Sequence, residues 1–224
     1  MGLLSLVISY LLGSIPMGLL AVRISTGKDL RQVHSGRTGG TNAMRAGGFL
    51  IGLLTAIFDL LKATAAVWIA KMLTDQDPWI VAAAGVLAVI GHNYSIFLLE
   101  RDGEKIRLRG GAGGASTVGA STGIWAPSVL IILPAGLLLL FGVGYASLAT
   151  MSTGLIASII FLVRALNGSG PWAYFYFGIV VELILLLGLR PNIQRLLQGN
   201  ERLIGWRARL RREKEKSEEA LVQQ

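Results

Sequence analysis

The chain has 224 residues, of which 53% are hydrophobic and only 15% charged, and its 21 Lys and Arg against 13 Asp and Glu give a formal net charge of +8. So little charge argues against a soluble domain of this length, and long apolar runs split by short polar breaks read as a polytopic membrane protein. The absence of cysteine excludes disulfides, thiolate chemistry and Cys-type metal sites, while two histidines, His34 and His92, argue against a multi-histidine metal centre.

The basic excess is clustered rather than spread as a nucleic-acid surface would be. Five Lys and Arg lie between Arg23 and Arg45, four between Arg101 and Arg109, and nine between Arg190 and Lys216. That is the positive-inside pattern, so all three regions are expected on the cytoplasmic side against an anionic inner leaflet, with no nucleic acid as partner.

Leu3 to about Arg23 reads as a retained first span, kinked where Gly13-Ser14-Ile15-Pro16 interrupts it. A polar island follows, Ser35-Gly36-Arg37-Thr38-Gly39-Gly40-Thr41-Asn42-Ala43-Met44-Arg45. It has two arginines, several small hydroxyl and amide side chains, turn-like glycines and no carboxylate. Such a stretch suits an anion, most naturally a phosphate, although a plain basic loop obeying topology rules reads the same way.

The second span, about Phe49 to Met72, places Asp59 and Lys62 on one face at i,i+3, an ion pair buried in the membrane or a pair taking part in the chemistry. After an outer turn at Thr74 to Pro78, the third span runs from about Trp79 to Leu99 and carries Gly91-His92-Asn93 toward its inner half. An imidazole there packs through a hydrogen bond or works as a base. Glu100 to Arg109 reads as a small charged hairpin turning at Asp102-Gly103, which leads into the permissive backbone of Gly110-Gly111-Ala112-Gly113-Gly114.

Gly114 to Trp125 is about a dozen residues, roughly 18 Å as a helix, too short for a ~30 Å hydrocarbon core, so it crosses as a short span or is re-entrant. The run from Pro127 to Gly142, then Ser147 to Arg164 and Trp172 to Leu189, complete the count; a lone acid, Glu182, lies in the last and calls for a partner. The expectation is an all-α fold of about seven transmembrane helices, one of them short, with the N-terminus outside and the C-terminus cytoplasmic. Residues 1–206 form a single membrane domain, and 207–224 a charged cytoplasmic tail. After the last span Ile193, Leu196 and Leu197 share one face of a basic amphipathic segment suited to the interface.

Three inner-face motifs stand in order: Ser-Gly-x-x-Gly-x-Thr-Asn-x-x-Arg, then Gly-His-Asn with the glycine loop, then Asn-Ile-x-Arg-Leu-Leu-x-Gly-x-Glu. With Gly-Ser-Ile-Pro in the first span and Asp-x-x-Lys in the second, the set resembles the bacterial acyl-phosphate:glycerol-3-phosphate acyltransferase family over roughly Gly13 to Glu201. The resemblance implies transfer of a fatty acyl group from acyl phosphate to the 1-hydroxyl of glycerol 3-phosphate, giving lysophosphatidate at the cytoplasmic face of the bacterial plasma membrane. It implies neither cofactor nor metal.

Carried over by motif, Ser35, Gly36, Thr41, Asn42 and Arg45 belong to substrate binding, with Arg37 where the family usually has Asn. Arg109, Gly110, Gly111 and Gly113 match the family's Lys-Gly-Gly-Lys-Gly, but its second lysine is Ala112 here. Ser147 stands at a phosphate-contacting position. Asn192, Arg195 and Glu201 match the third motif, whose preceding histidine is Leu189. Direct attack by the glycerol hydroxyl, with no acyl-enzyme, is the expected mechanism. In it Arg45, Arg37, Ser35 and Ser147 bind phosphate groups, the glycine loop offers oxyanion donors, Asn192 and Glu201 orient the third motif, and the proton goes to substrate phosphate or to His92. Two other readings stay open: a catalytically weakened homologue that binds lipid or phosphate, and a transporter using Asp59, Lys62 and Glu182, although no inverted repeat is visible.

Overall fold

The computed structural model describes residues 1–103 and 105–222. Glu104, part of the expected hairpin turn, lies outside the described residues, as do 223 and 224 of the tail. In chain order the helices are α1 (Gly2–Ser14), α2 (Met17–Thr26), α3 (Gly40–Gly47), α4 (Phe49–Leu73) and α5 (Pro78–Asn93). A hairpin of β1 (Leu99–Asp102) and β2 (Lys105–Leu108) follows, then α6 (Gly114–Ile124), α7 (Val129–Leu138), α8 (Ala146–Leu166), α9 (Trp172–Gly188), α10 (Arg190–Leu197) and α11 (Gly205–Val222).

Among the described residues five stretches are long and apolar enough to cross a bilayer: Gly2–Thr26, Phe49–Leu73, Pro78–Leu98, Ala126–Val143 and Ala146–Leu166. The 17-residue α9 qualifies when taken with α10, across a 66° bend. Helices therefore stand at all seven places read from the sequence, and α6 is the short one.

In lipid the outside of the bundle is as apolar as its core, so close packing rests on small residues. A Cβ on Gly13 of α1 would overlap the Ala88 carbonyl of α5, and one on Gly91 of α5 would overlap the Tyr10 carbonyl of α1. Phe161, Phe177, Val67, Val89 and Leu185 fill the buried interior, while Phe58, Trp68, Leu130 and Ile159 face outward. The break at Ile15–Pro16, where proline lacks an N–H, presents the Ile15 carbonyl to the Lys62 ammonium, which donates to it at 2.6 Å. Glu182 lies against Gly154 of α8, with Oε2 buried and lacking a hydrogen-bond partner.

The shortness of α6 has a structural reason. Its Ser116 hydroxyl donates to the Asp59 carbonyl at 3.4 Å, its Gly119 carbonyl accepts from Thr64 at 2.8 Å, and its Ile124 carbonyl accepts from Lys71 at 2.8 Å. The helix thus runs beside α4 only from the level of Asp59 to that of Lys71. The glycine loop before it therefore enters the bundle toward the level of Asp59.

The basic regions meet at one end of the bundle. Thr38 N–H donates to the Gly110 carbonyl at 3.1 Å, and Arg31 pairs with Glu100 at 3.4 Å. Ile204 N–H donates to the Gly144 carbonyl at 2.9 Å. The hairpin pairs Leu99 with Leu108 and Arg101 with Ile106. The start of α11 docks at the same end, through Trp206 Nε1 to the Phe141 carbonyl at 2.9 Å and Arg207 to the Val143 carbonyl at 2.8 Å.

Candidate active site

The first motif is held by its own amide. Asn42, in the first turn of α3 and buried, places Nδ2 2.9 Å from the carbonyls of both Val33 and Arg37, and 3.3 Å from that of Leu30. Three carbonyls of one loop converge on this side chain, so Asn42 ties the loop to the helix. Asp29 caps the short turn Leu30–Gln32 by accepting from Arg31 N–H at 2.9 Å, and the Arg31 guanidinium beside it holds the carboxyl down at about 2. At Gly36 the backbone turns with φ +68°, and a Cβ there would stand 2.9 Å from the Arg31 carbonyl and 3.1 Å from Arg109 Nη1. The positive φ and the close Arg31 carbonyl favour glycine there, and the loop lies alongside Arg109.

The second region couples a buried charge cluster to the glycine loop. Lys62 Nζ is 2.8 Å from Asp59 Oδ1 and 3.1 Å from His92 Nδ1, and His92 Nδ1 is 3.3 Å from the same carboxylate oxygen. All three side chains are buried, and the shared contacts offset much of the cost of placing charge at that depth. The other ring nitrogen, Nε2, backs onto Gly111, where a Cβ would overlap it. Gly111 N–H donates to the His92 carbonyl at 2.8 Å, so that amide is engaged and is not an oxyanion donor. Arg109 is fixed by its main chain, with its N–H donating to Leu98 at 3.2 Å and its carbonyl accepting from Ser95 at 2.9 Å.

The third motif reaches the first through Arg37. Its Nη2 donates to the Gly188 carbonyl at 2.6 Å and lies 3.5 Å from Asn192 Oδ1. Asn192 Nδ2 donates to Glu201 Oε1 at 3.0 Å, and Arg195 Nε donates to Glu201 Oε2 at 3.1 Å. Glu201 is buried and uses both oxygens. Burial pulls the Arg37 guanidinium below its ordinary value. Burial does the same to Arg45, helped by the positive charge of Arg202 and opposed by Glu201. Arginine stays cationic despite such shifts, so both are partly desolvated positive charges.

Between these regions lies a pocket of about 230 Å³ lined by Ser35, Gly36, Arg37, Asn93, Tyr94, Arg109, Gly110, Gly111 and Gly188. Six residues singled out from sequence line it: Ser35, Gly36, Arg37, Arg109, Gly110 and Gly111. Asn42, Asn192, Arg195 and Glu201 stand behind that lining as supports. His92 backs the glycine loop rather than the pocket, and Gly113 packs on Asn93 and Leu185. Thr41 and Arg45 do not line the pocket either, although Arg45 feels Glu201. Ser147 is buried away from the lining, with its hydroxyl unpartnered.

Asn93, noted in the Gly-His-Asn motif but not carried over as a site residue, lines the pocket, as do Tyr94 and Gly188, which had not been singled out. Asn93 and Tyr94 directly follow His92, a usable signal, whereas Gly188 contributes a carbonyl and leaves no side-chain trace. Leu189, where the resemblance expects histidine, is buried in the core. The Ala112 amide faces Gly39, about 3.9 Å from where a Cβ on it would stand. Among the described residues, no group of three or more His, Asp or Glu is placed to hold a metal ion.

Residues 3–199 match the family model described as Glycerol-3-phosphate acyltransferase. A glycerol-3-phosphate acyltransferase of Thermus thermophilus is 35% identical over 207 residues, covering 92% of this chain and 97% of its own. One from Thermosipho melanesiensis is 36% identical over 198 residues, covering 88% and 90%. Among solved structures, PlsY (YgiH), an integral membrane glycerol 3-phosphate acyltransferase in its glycerol 3-phosphate form, superposes with a TM-score of 0.78 at 30% identity. That match covers 91% of this chain and 96% of the other. The lysophosphatidic acid form gives 0.75 at 29% identity.

Proposed function

Since this chain belongs to the glycerol-3-phosphate acyltransferase family, we propose that it takes its acyl group from acyl phosphate and transfers it directly to the 1-hydroxyl of glycerol 3-phosphate. The observation that carries this reading is the pocket itself. Two arginines from different motifs, Arg37 and Arg109, face one recess beside Ser35 and the glycine loop, with no carboxylate in its lining. Forked guanidiniums on a glycine-shaped backbone suit a phosphate monoester.

Acyl phosphate is already activated, so the protein's work is positioning and charge neutralisation. The glycerol oxygen forms its bond to the acyl carbon, the acyl C–O bond to phosphate breaks, and inorganic phosphate leaves with the hydroxyl proton. Placing the proton on phosphate suits the position of His92, whose Nε2 is covered by Gly111 and whose Nδ1 is engaged by Lys62 and Asp59. With the Gly111 amide bonded to the His92 carbonyl, the other amides of the glycine loop and the uncapped first turn of α6 are the proposed donors for a developing oxyanion. Arg45 and Ser147 are kept as proposed phosphate-binding residues although neither lines this pocket.

The end of the bundle that gathers the three basic regions is taken as the cytoplasmic face of a bacterial plasma membrane. This sets the N-terminus outside, and the acyl chain reaches the site from the bilayer. The test is phosphate release from palmitoyl phosphate by the purified protein, with and without glycerol 3-phosphate. Release that depends on the acceptor, with lysophosphatidate as product, is expected. No acceptor-dependent release by folded protein overturns the reading in favour of a homologue that only binds phosphate or lipid.

A further inference from the structure

Glu100, the second residue of β1, sits between two arginines. Its Oε2 is 2.6 Å from Arg109 Nε and its Oε1 3.4 Å from Arg31 Nη1. Arg31 in turn is clamped by Asp29, with Nη2 2.7 Å from Oδ2 and Nε 3.0 Å from Oδ1. The alternating chain Asp29–Arg31–Glu100–Arg109 thus links the first loop to the hairpin and ends at the pocket.

A carboxylate beside an anion site needs a reason, since it repels the anion the site receives. The geometry supplies one. Glu100 takes the Nε edge of Arg109, while Nη1 on the far side of the guanidinium lies over Gly36, next to the pocket. Arginine is a flexible side chain with several rotamers, and Arg109 is only partly buried, 41% exposed at the side chain. Without a grip at Nε the guanidinium would spread over orientations that turn its fork away from the recess. The main chain of Arg109 is anchored on both sides by Leu98 and Ser95, so the remaining freedom is in the side chain. Arg31 offsets part of the Glu100 charge and is itself balanced by Asp29.

We propose that Glu100 is a positioning residue for the acceptor phosphate: it locks the Arg109 guanidinium so that its terminal nitrogens face the pocket. The proposal rests on the reading of the pocket as the glycerol 3-phosphate site. It assigns to the hairpin, whose other strand ends one residue before Arg109, the task of presenting that arginine, with Glu100 acting through Arg109 and not on substrate.

The experiment compares the full-length wild type with Glu100→Gln, Glu100→Asp, Arg109→Ala and the Glu100→Gln/Arg109→Ala double variant, by steady-state kinetics at saturating palmitoyl phosphate. Losing the ion pair at Nε is expected to raise KM for glycerol 3-phosphate about tenfold in Glu100→Gln, with kcat within about twofold. Glu100→Asp, which keeps the charge, recovers much of the loss. In the Arg109→Ala background Glu100→Gln changes nothing further, because the group it positions is gone. A KM for Glu100→Gln within about twofold of wild type, or the same tenfold effect with Arg109 absent, overturns the proposal.

Glycerol 3-phosphate binding by calorimetry on the same five proteins separates this proposal from the catalytic reading. If the wild type binds glycerol 3-phosphate but releases no phosphate, the reaction assignment fails, and the pattern of dissociation constants decides the role of Glu100 by the same criteria. If the wild type binds none, both fall. Should Glu100→Gln fail to fold, Arg31→Gln, which removes the outer arm and leaves the inner pair, is expected to raise KM about threefold, and an unchanged KM counts against the proposal.

Discussion

Arg37 and Gly188, 151 positions apart in the chain, meet at 2.6 Å through a guanidinium nitrogen and a backbone carbonyl. The contact joins the loop between α2 and α3 to the end of α9, and it uses one arm of a side chain that also lines the pocket. Arg37 is therefore a strut and a ligand at once, a combination that suits a planar fork and not a single ammonium.

Replacing Arg37 by Ala is expected to raise KM for glycerol 3-phosphate by about tenfold or more, through loss of a charge-assisted contact. Arg37→Lys keeps the charge but not the fork, and falls between. The measurement is acceptor titration at saturating palmitoyl phosphate. A wild-type KM in Arg37→Ala would leave the residue a strut only.

Glu201 uses both carboxylate oxygens, on Asn192 and Arg195. Glu201→Ala removes both acceptors at a buried position and is expected to destabilise the protein by about 1–3 kcal/mol. Activity should fall as well, because Asn192 loses the group that orients it 3.5 Å from Arg37. Glu201→Gln, which keeps one acceptor oxygen, should melt between the two. A melting temperature for Glu201→Ala equal to wild type would mean that the contacts contribute nothing to the fold.

Much of this arrangement was legible in the sequence, for identifiable reasons. Long apolar runs, Pro16 and the Asp-Gly turn each act locally, so the helices, the kink and the hairpin stand where the chain implied them. The inner-face arginines could be named because charge in a membrane protein is rare and clusters by topology. What was not legible is whatever depends on two distant segments meeting. His92 joins Asp59 and Lys62 only because α4 and α5 pack side by side. Gly188 lines the pocket through its main chain, and the Gly111 amide is consumed by a carbonyl that no side-chain pattern announces. The inward glycine loop that shortens α6 is likewise a property of packing.

Glycines of the inner face differ sharply in what they tolerate. At Gly111 an added Cβ runs into the His92 imidazole, which Lys62 and Asp59 hold from the other side, whereas at Gly39 the nearest atoms are 3.9 Å away. Gly111→Ala is expected to cost about 1–3 kcal/mol from overpacking and to lower activity, while Gly39→Ala should stay under about 1 kcal/mol. The cause is tested by adding His92→Ala to Gly111→Ala, which makes room. If Gly111→Ala costs as much stability in the His92→Ala background as in the wild type, the steric account is wrong.

The last prediction concerns the charge cluster itself. Asp59 and Lys62 are both buried, one turn apart on α4, and their pairing is what makes either charge tolerable at that depth. Lys62→Met strands the carboxylate beside His92 and is expected to cost about 3–5 kcal/mol, since removing one partner leaves a buried charge uncompensated. Asp59→Asn combined with Lys62→Met removes both charges and should recover a large part of that loss, because the neutral pair carries no such penalty. Thermal melting of the single and double variants in one detergent decides it: a double variant no more stable than Lys62→Met alone would show that the cluster contributes through something other than charge pairing. Activity adds a second reading, because His92 supports the glycine loop from the face opposite the pocket. A double variant that regains its melting temperature but not its kcat would show that the cluster holds the loop in register for the reaction, beyond holding α4 to α5.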